Sequence, residues 1–300
     1  MSNKLLFSGH NTFTCKQYWL NKGFGFVKDQ KIFSEENAVV DLGVGKNMVN
    51  AIRYWLRSFG LVDETDGLTI LAKKVLSENG WDPYLEDIGS LWILHFLLIK
   101  SNRASIYHLV FNEFRKERID FTKGQLLNFL KKVCDETDNA NFTESTLASD
   151  VNVFLRTYLP PKKDRETKIE VEEDFSSLLI DLELLDSYRQ VVEKDGKTEV
   201  INWYRIENNF RDALPYQIVL YVIAENLGES LTVSFNELLR GVNSPGVIFA
   251  LHDDGLYDKI EEICKANSRR IIFSETAGNR ILQFKDKPNG IEILKGYYNK

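Results

Sequence analysis

Lys46, Asn50, Arg53 and Arg57 follow one another at intervals of four, three and four residues. On a helix beginning near Lys46, at about 100° per residue, they share a wedge of roughly 60°. Met48, Ile52, Trp55 and Phe59 repeat the same intervals on the opposite side. Arginine and asparagine suit the base edges of a major groove, and lysine suits phosphates. With Asn47 and Tyr54 alongside, these residues are candidates for holding a DNA duplex.

The neighbouring sequence supplies elements that would position such a helix. Ser34 can cap a short helix reaching Asp41, and the glycines of Leu42-Gly-Val-Gly45 suit a tight corner. After the helix, Phe59-Gly-Leu-Val62 starts an extended run, Thr65-Asp-Gly67 can turn, and Leu68-Thr-Ile70 can return. Helix, turn, helix and hairpin over residues 34–70 is the order of a winged helix-turn-helix. A phosphate-binding loop is excluded at Gly43-Val-Gly-Lys46. Its first glycine would fall on Val40 and its magnesium-binding hydroxyl on Asn47.

A similar pattern recurs over residues 122–158. Thr122 caps a helix running to Cys134, a polar loop follows, and Thr143 caps Glu144 to Tyr158. There Leu147, Val151, Phe154 and Tyr158 form one face, and Ser145, Ser149, Asn152 and Arg156 form the other. The second face is a second candidate for DNA contact.

The chain of 300 residues is 43% hydrophobic, with 19 Phe, 12 Tyr and 5 Trp, enough for two aromatic-rich cores. We expect a mainly α fold with small β-hairpins, an α+β architecture. Residues 1–159 form a helical domain, 160–174 a charged linker opening on Pro160-Pro161, and 175–300 an α+β, winged-helix-like module. In the first part, helices are expected at Thr12–Lys22, Thr69–Leu76, Ile88–Lys100 (apolar nearly all round) and Ala104–Phe114. The second part reads as a helix Phe175–Leu185, a hairpin turning at Lys194-Asp-Gly-Lys197 and a helix Tyr216–Leu227. A Ser234-capped helix, a helix from Pro245 to about Ala266 broken near Gly255, and a hairpin over 270–284 complete it.

Residues 1–159 carry 19 basic and 19 acidic side chains, whereas 160–300 carry 19 and 25. Phosphate contacts supply most DNA affinity, so a protein without a basic excess should bind DNA weakly when alone. Asp253, Asp254, Asp258, Glu261 and Glu262 on one C-terminal helix would repel phosphates, which points that module toward protein partners. The longest apolar run, Leu91–Ile99, is half a membrane span, and the N-terminus reads as no signal peptide. Cys15, Cys134 and Cys264 lack metal or disulfide spacing. A cytoplasmic protein is expected, with no membrane partner.

Other chemistry is thinner. Asp82, Glu86 and Asp87 are of the type that can hold a divalent metal, but carboxylates ahead of Ile88 also suit the positive end of a helix. His95 reads as a satisfied core residue, His10 as a histidine locking the first helix, and a His95–His108 metal pair has no other support. No catalytic residue and no cofactor is expected.

Several segments occur in series: Gly9-His-Asn-Thr-Phe13 with Trp19-Leu20; Leu42-Gly-Val-Gly-Lys-Asn-Met-Val49 with Ala51-Ile-Arg-Tyr-Trp-Leu56; Asp82-Pro-Tyr-Leu-Glu-Asp87; Leu91-Trp92 with Leu94-His95; and Phe111-Asn112. Together they resemble the bacterial family catalogued as domain of unknown function 4007. Cys15-Lys16 departs from the pattern, where an arginine is expected. The resemblance implies a place beside DNA-modification and phage-defence enzymes, notably DNA phosphorothioation systems, and supplies no chemistry. The expectation is therefore a non-catalytic DNA-binding accessory protein. A protein–protein scaffold subunit and a metal-dependent nucleic-acid enzyme are the alternatives.

Overall fold

The structure, a computed structural model, describes residues 4–137, 142–160, 177–194, 197–276 and 278–299. The fold is α+β, with small antiparallel sheets among helices. The chain divides into two compact units, residues 1–86 with 97–206 and residues 87–96 with 207–300.

The first unit opens with a wound loop, in which Ser8, Asn11 and Thr12 all have positive φ. Helix α1, Trp19–Lys28, follows only after Lys16 has bridged to Ser177. The helix expected from Thr12 therefore starts seven residues later, because left-handed backbone cannot enter a right-handed helix. Next come α2, Ala38–Leu42, and α3, Lys46–Ser58. Gly43, at φ 64°, turns the corner between them. Ser34 caps nothing, since α2 begins after Asn37 and has no side-chain cap. On α3, Ile52, Trp55 and Leu56 are buried, as is Phe59 just beyond it, and Met48 sits half-buried at the margin. The hairpin after α3 is a single bridge between Val62 and Leu68. Helix α4, Ile70–Leu76, is capped by Thr69.

Helix α5, Ile88–Ser101, is buried along nearly its whole length, as its sequence predicts. Helix α6, Ser105–Leu109, passes through one π turn, Val110–Phe114, into a short α7, Arg115–Glu117. Strand β1, Asp120–Phe121, precedes α8, Lys123–Asp135, which has the capping box Thr122/Gln125. Helix α9, Glu144–Tyr158, is capped by Thr143 and buries Leu147, Val151, Phe154 and Tyr158. Part of the loop between α8 and α9, residues 138–141, lies outside the described residues.

The expected boundary at 160–174 lies, apart from Pro160, outside the described residues, and the compact units divide elsewhere. Strands β2, Asp186–Lys194, and β3, Lys197–Arg205, form the expected hairpin, with turn residues 195–196 outside the description. This hairpin belongs to the first unit, since β3 also pairs with β1 through Asp120↔Arg205 and Phe121↔Tyr204. The helix expected over 175–185 is only a 3-10 turn, Ile180–Leu182; residues 175 and 176 are not described.

In the second unit, α10, Tyr216–Asn226, follows Pro215 and is buried from Ile218 to Ala224. Strand β4, Thr232–Ser234, leads into α11, Phe235–Arg240, where Ser234 accepts from the Glu237 amide as the cap. Helix α12, Pro245–Ile248, stops before α13, Asp253–Ala266, so the break falls at 249–252. There the His252 side chain caps α13, while Gly255, the expected break, lies within the helix. Strands β5, Ile271–Thr276, and β6, Asn279–Phe284, return with β6 between β4 and β5, and α14, Gly290–Tyr298, closes the unit.

Phe154 is fully buried, with ring centroids 5.4 Å from those of Tyr107 and Tyr158. Phe154→Ala should lower the unfolding free energy by about 3–5 kcal/mol in urea denaturation. A loss below about 1 kcal/mol contradicts this packing.

Candidate nucleic-acid interface

The outward side of α3 divides along its length. Lys46, Asn47 and Asn50, near its start, are exposed. Arg53 and Arg57, further on, are engaged with the hairpin. Arg53 Nη2 lies 2.6 Å from Asp66 Oδ2, and Arg57 Nε donates to Asp66 Oδ1 at 2.7 Å. Arg57 Nη2 also donates to the Glu64 carbonyl at 2.9 Å. Side-chain exposures of 38% for Arg53, 25% for Arg57 and 20% for Asp66 describe a half-sheltered cluster. The sequence expectation of outward, uncommitted arginines is corrected here. Periodicity assigns a face but cannot reveal an acid brought back by the following turn.

Tyr54 also departs from its expected role. Its hydroxyl is buried, and burial together with the Asp150 carboxylate pushes the phenol pKa well up. Its ring fills the space beside Gly9, where an added Cβ would sit 2.2 Å from a ring carbon. Asp63 organises the adjacent turn, accepting from the Thr65 hydroxyl at 2.7 Å and from the Thr65 and Gly67 amides at 2.8 Å. These bonds, the hydroxyl foremost, hold its carboxyl below the usual carboxylate range.

Helix α9 divides by side. Ser145 is occupied by Thr143 at 2.8 Å, and Ser149 is half-buried. Asn152 and Arg156 are exposed, but they line a cleft of about 830 Å³ rather than a protruding face. Lys123 Nζ donates to Asn152 Oδ1 at 2.7 Å, and Arg156 Nη2 donates to the Thr12 carbonyl at 2.6 Å. Across the cleft stand Glu199 to Asn202 of β3.

The inner side of α9 carries the feature that the sequence reading missed. Asp150 is 1% exposed and accepts the Ser8 amide at 2.9 Å. His10, also 1% exposed, places Nε2 at 3.3 Å from Asp150 Oδ1. Its Nδ1 accepts the Thr12 amide at 3.1 Å, so in a neutral ring the proton resides on Nε2, facing the carboxylate. The ring stacks on Trp55 of α3 at 6.3 Å. His10 thus locks the loop ahead of α1, close to the structural role expected for it. The readable sign of Asp150 was an acid between Leu147, Val151 and Phe154 on an apolar face.

The metal candidates have structural duties. Asp82 Oδ1 accepts the Glu86 amide at 3.0 Å. Asp87 Oδ1 accepts the Gly89 amide at 2.7 Å and the Tyr297 hydroxyl at 2.6 Å, at the start of α5. His95 is fully buried, with Nε2 2.7 Å from the Ile248 carbonyl, the satisfied core histidine expected. His108 Nδ1 lies 3.2 Å from the Ile99 carbonyl. Among the described residues no group of three or more His, Cys, Asp or Glu could hold a metal. Burial raises the thiols of Cys15, Cys134 (to about 11) and Cys264, which disfavours the nucleophilic thiolate.

The family model described as "Protein of unknown function (DUF4007)" matches residues 7–298. The chain belongs to this DUF4007 family. No curated protein matches it. Its fold is similar to two solved structures, the SspB crystal structure and the magnesium ion-bound SspB crystal structure. For each, the TM-score is 0.82 at 26% identity, over 98% of this chain and 88% of the other. In this DUF4007 chain, the Gly9–Phe13 motif forms the loop locked by Asp150, and Lys46–Leu56 forms the exposed and buried sides of α3.

Two outcomes follow. His10→Ala would remove the imidazole beside the buried Asp150 and the acceptor of the Thr12 amide, and should cost about 1–3 kcal/mol of stability in urea. A cost near zero contradicts the lock. For Asp63, a lowered folded-state pKa means its turn gains stability above the ordinary carboxylate value and loses it as pH falls through the lowered one. The Thr65 and Gly67 amide NMR signals should therefore titrate together with a midpoint below the ordinary aspartate value of 3.8. A midpoint at or above that value contradicts the turn geometry.

Proposed function

We propose that this DUF4007 protein is a non-catalytic, nucleic-acid-binding accessory subunit of a bacterial DNA-modification or anti-phage defence system. The observation that carries this reading is the exposed first half of α3, with Lys46, Asn47 and Asn50 outward and Ile52, Trp55 and Leu56 buried behind. In helix-turn-helix docking, residues at the start of the recognition helix reach base edges. Lys46 would meet phosphate, and Asn47 and Asn50 the base edges. Arg53 and Arg57 would serve differently from the sequence expectation. By gripping Asp66 they fix the 62–68 hairpin against the helix, as a wing must be fixed.

The net charge of −6 supports weak binding assisted by partners. A scaffold role for the second unit has its own support. Its order of helix, strand, helices and hairpin, with β6 between β4 and β5, fits a winged-helix reading. The exposed Asp253, Asp254, Asp258, Glu261 and Glu262 of α13 favour a basic protein over DNA.

A gel-shift titration of duplex DNA at two salt concentrations tests the α3 reading. Lys46→Ala with Asn50→Ala should weaken binding, and each lost phosphate contact should reduce the log–log salt slope by about 0.9. Binding and slope unchanged from the parent protein would rule it out.

A further inference from the structure

We propose that the cleft bounded by α8, α9 and β3 in the first unit is a separate site for a nucleotide, taken either free or as part of a single strand. Its volume of about 830 Å³ lies within the usual range for small-ligand sites, about 300–1,000 Å³. It is too confined to admit the body of a duplex. This goes beyond the α3 reading and does not depend on it.

The lining has the three chemistries that a nucleotide needs. Arg156 and Lys123 bring positive charge to the lining. Arg156 is exposed, no described acid forms an ion pair with it, and the Thr12 carbonyl takes one of its five N–H donors at 2.6 Å. That bond orients the guanidinium, reducing the conformational freedom lost on meeting a phosphate. Leu155 and Val200 supply apolar wall against which a base can lie. Asn152 and Asn202 stand on opposite elements, α9 and β3; Asn152 Oδ1 takes the Lys123 ammonium at 2.7 Å, and its amide nitrogen is the donor it would turn to a base edge.

Glu199 is the acid in the lining. Its carboxylate disfavours phosphate nearby and suits an exocyclic amino group. The arrangement thus gives the ligand a direction, with phosphate toward Arg156 and base toward β3. Helix α9 cannot present Asn152 and Arg156 to a flat or convex partner while β3 faces them. That geometry favours a flexible, narrow ligand over the duplex expected of a second helix-turn-helix.

Fluorescence anisotropy on the full chain tests this with three probes: a labelled nucleoside 5′-monophosphate, a labelled single-stranded decamer and a labelled duplex. The decamer should bind, and Arg156→Gln should weaken it about tenfold, as loss of a charge-assisted phosphate contact implies. Arg156 also holds Thr12, so Val200→Asp provides a second variant at an exposed strand position, with folding checked by an unchanged melting curve. It should weaken the decamer similarly by adding a negative charge. Duplex affinity should stay unchanged in both variants, while Lys46→Ala with Asn50→Ala should leave decamer binding intact. Binding of the monophosphate as well as the decamer supports a free-nucleotide site, and binding of the decamer alone supports a strand site. No binding of either, or variants that bind both probes as the parent does, overturns the proposal.

Discussion

Asp150 imposes the strictest condition on the first unit. A carboxylate removed from water is tolerated only if hydrogen bonds and opposite charge replace its hydration. Here the replacement comes from the Ser8 amide, 142 residues away in sequence, and the edge of His10. To bring them there the chain accepts positive φ at Ser8, Asn11 and Thr12, each carrying a strain that surrounding contacts must offset. Trp55 and Tyr54 of α3 pack around the same imidazole. One buried charge therefore ties the N-terminal loop, α3 and α9 into a single arrangement.

The same tie reaches the surface. Thr12, at the far end of the locked loop, offers its carbonyl to Arg156 on the outer side of α9. Helix α9 thus grips the loop from both sides, by Asp150 inside and Arg156 outside. An arginine fixed at one nitrogen keeps its charge and its remaining donors, whereas one paired with a carboxylate has much of its charge neutralised. Arg156 is in the first condition; Arg53 and Arg57 are in the second, sharing the two oxygens of Asp66. Arg156 in the cleft is therefore better prepared for an external anion than Arg53 or Arg57.

What the sequence revealed and what it hid follow from the range of the interactions. The faces of α9, the caps Thr122, Thr143 and Ser234, and the hairpins 186–205 and 271–284 depend on residues within a few positions of each other. Periodicity and turn chemistry read such neighbours directly. The two-residue strand Asp120–Phe121 gives no local signal, yet its pairing with β3 assigns a whole hairpin to the first unit. Nor does composition anticipate left-handed backbone at Ser8, Asn11 and Thr12, residues that enter it only when the fold requires it. The α3 face was legible as a pattern. Whether its arginines were committed depended on Asp66, thirteen residues beyond Arg53 at the tip of a turn.

The two units divide their chemistry accordingly. In the first, polar side chains with amide and guanidinium donors are gathered at α3 and at the cleft, on elements held by the buried His10–Asp150 contact. In the second, the exposed side of α13 carries five carboxylates, while His252 at its start and the apolar row of Leu256, Ile260 and Ile263 hold it to its own core. A helix fixed this firmly cannot rotate its acids away, so a polyanion meets a repulsive surface there at any orientation. The acidic face remains suited to a cationic protein surface, which the same field attracts.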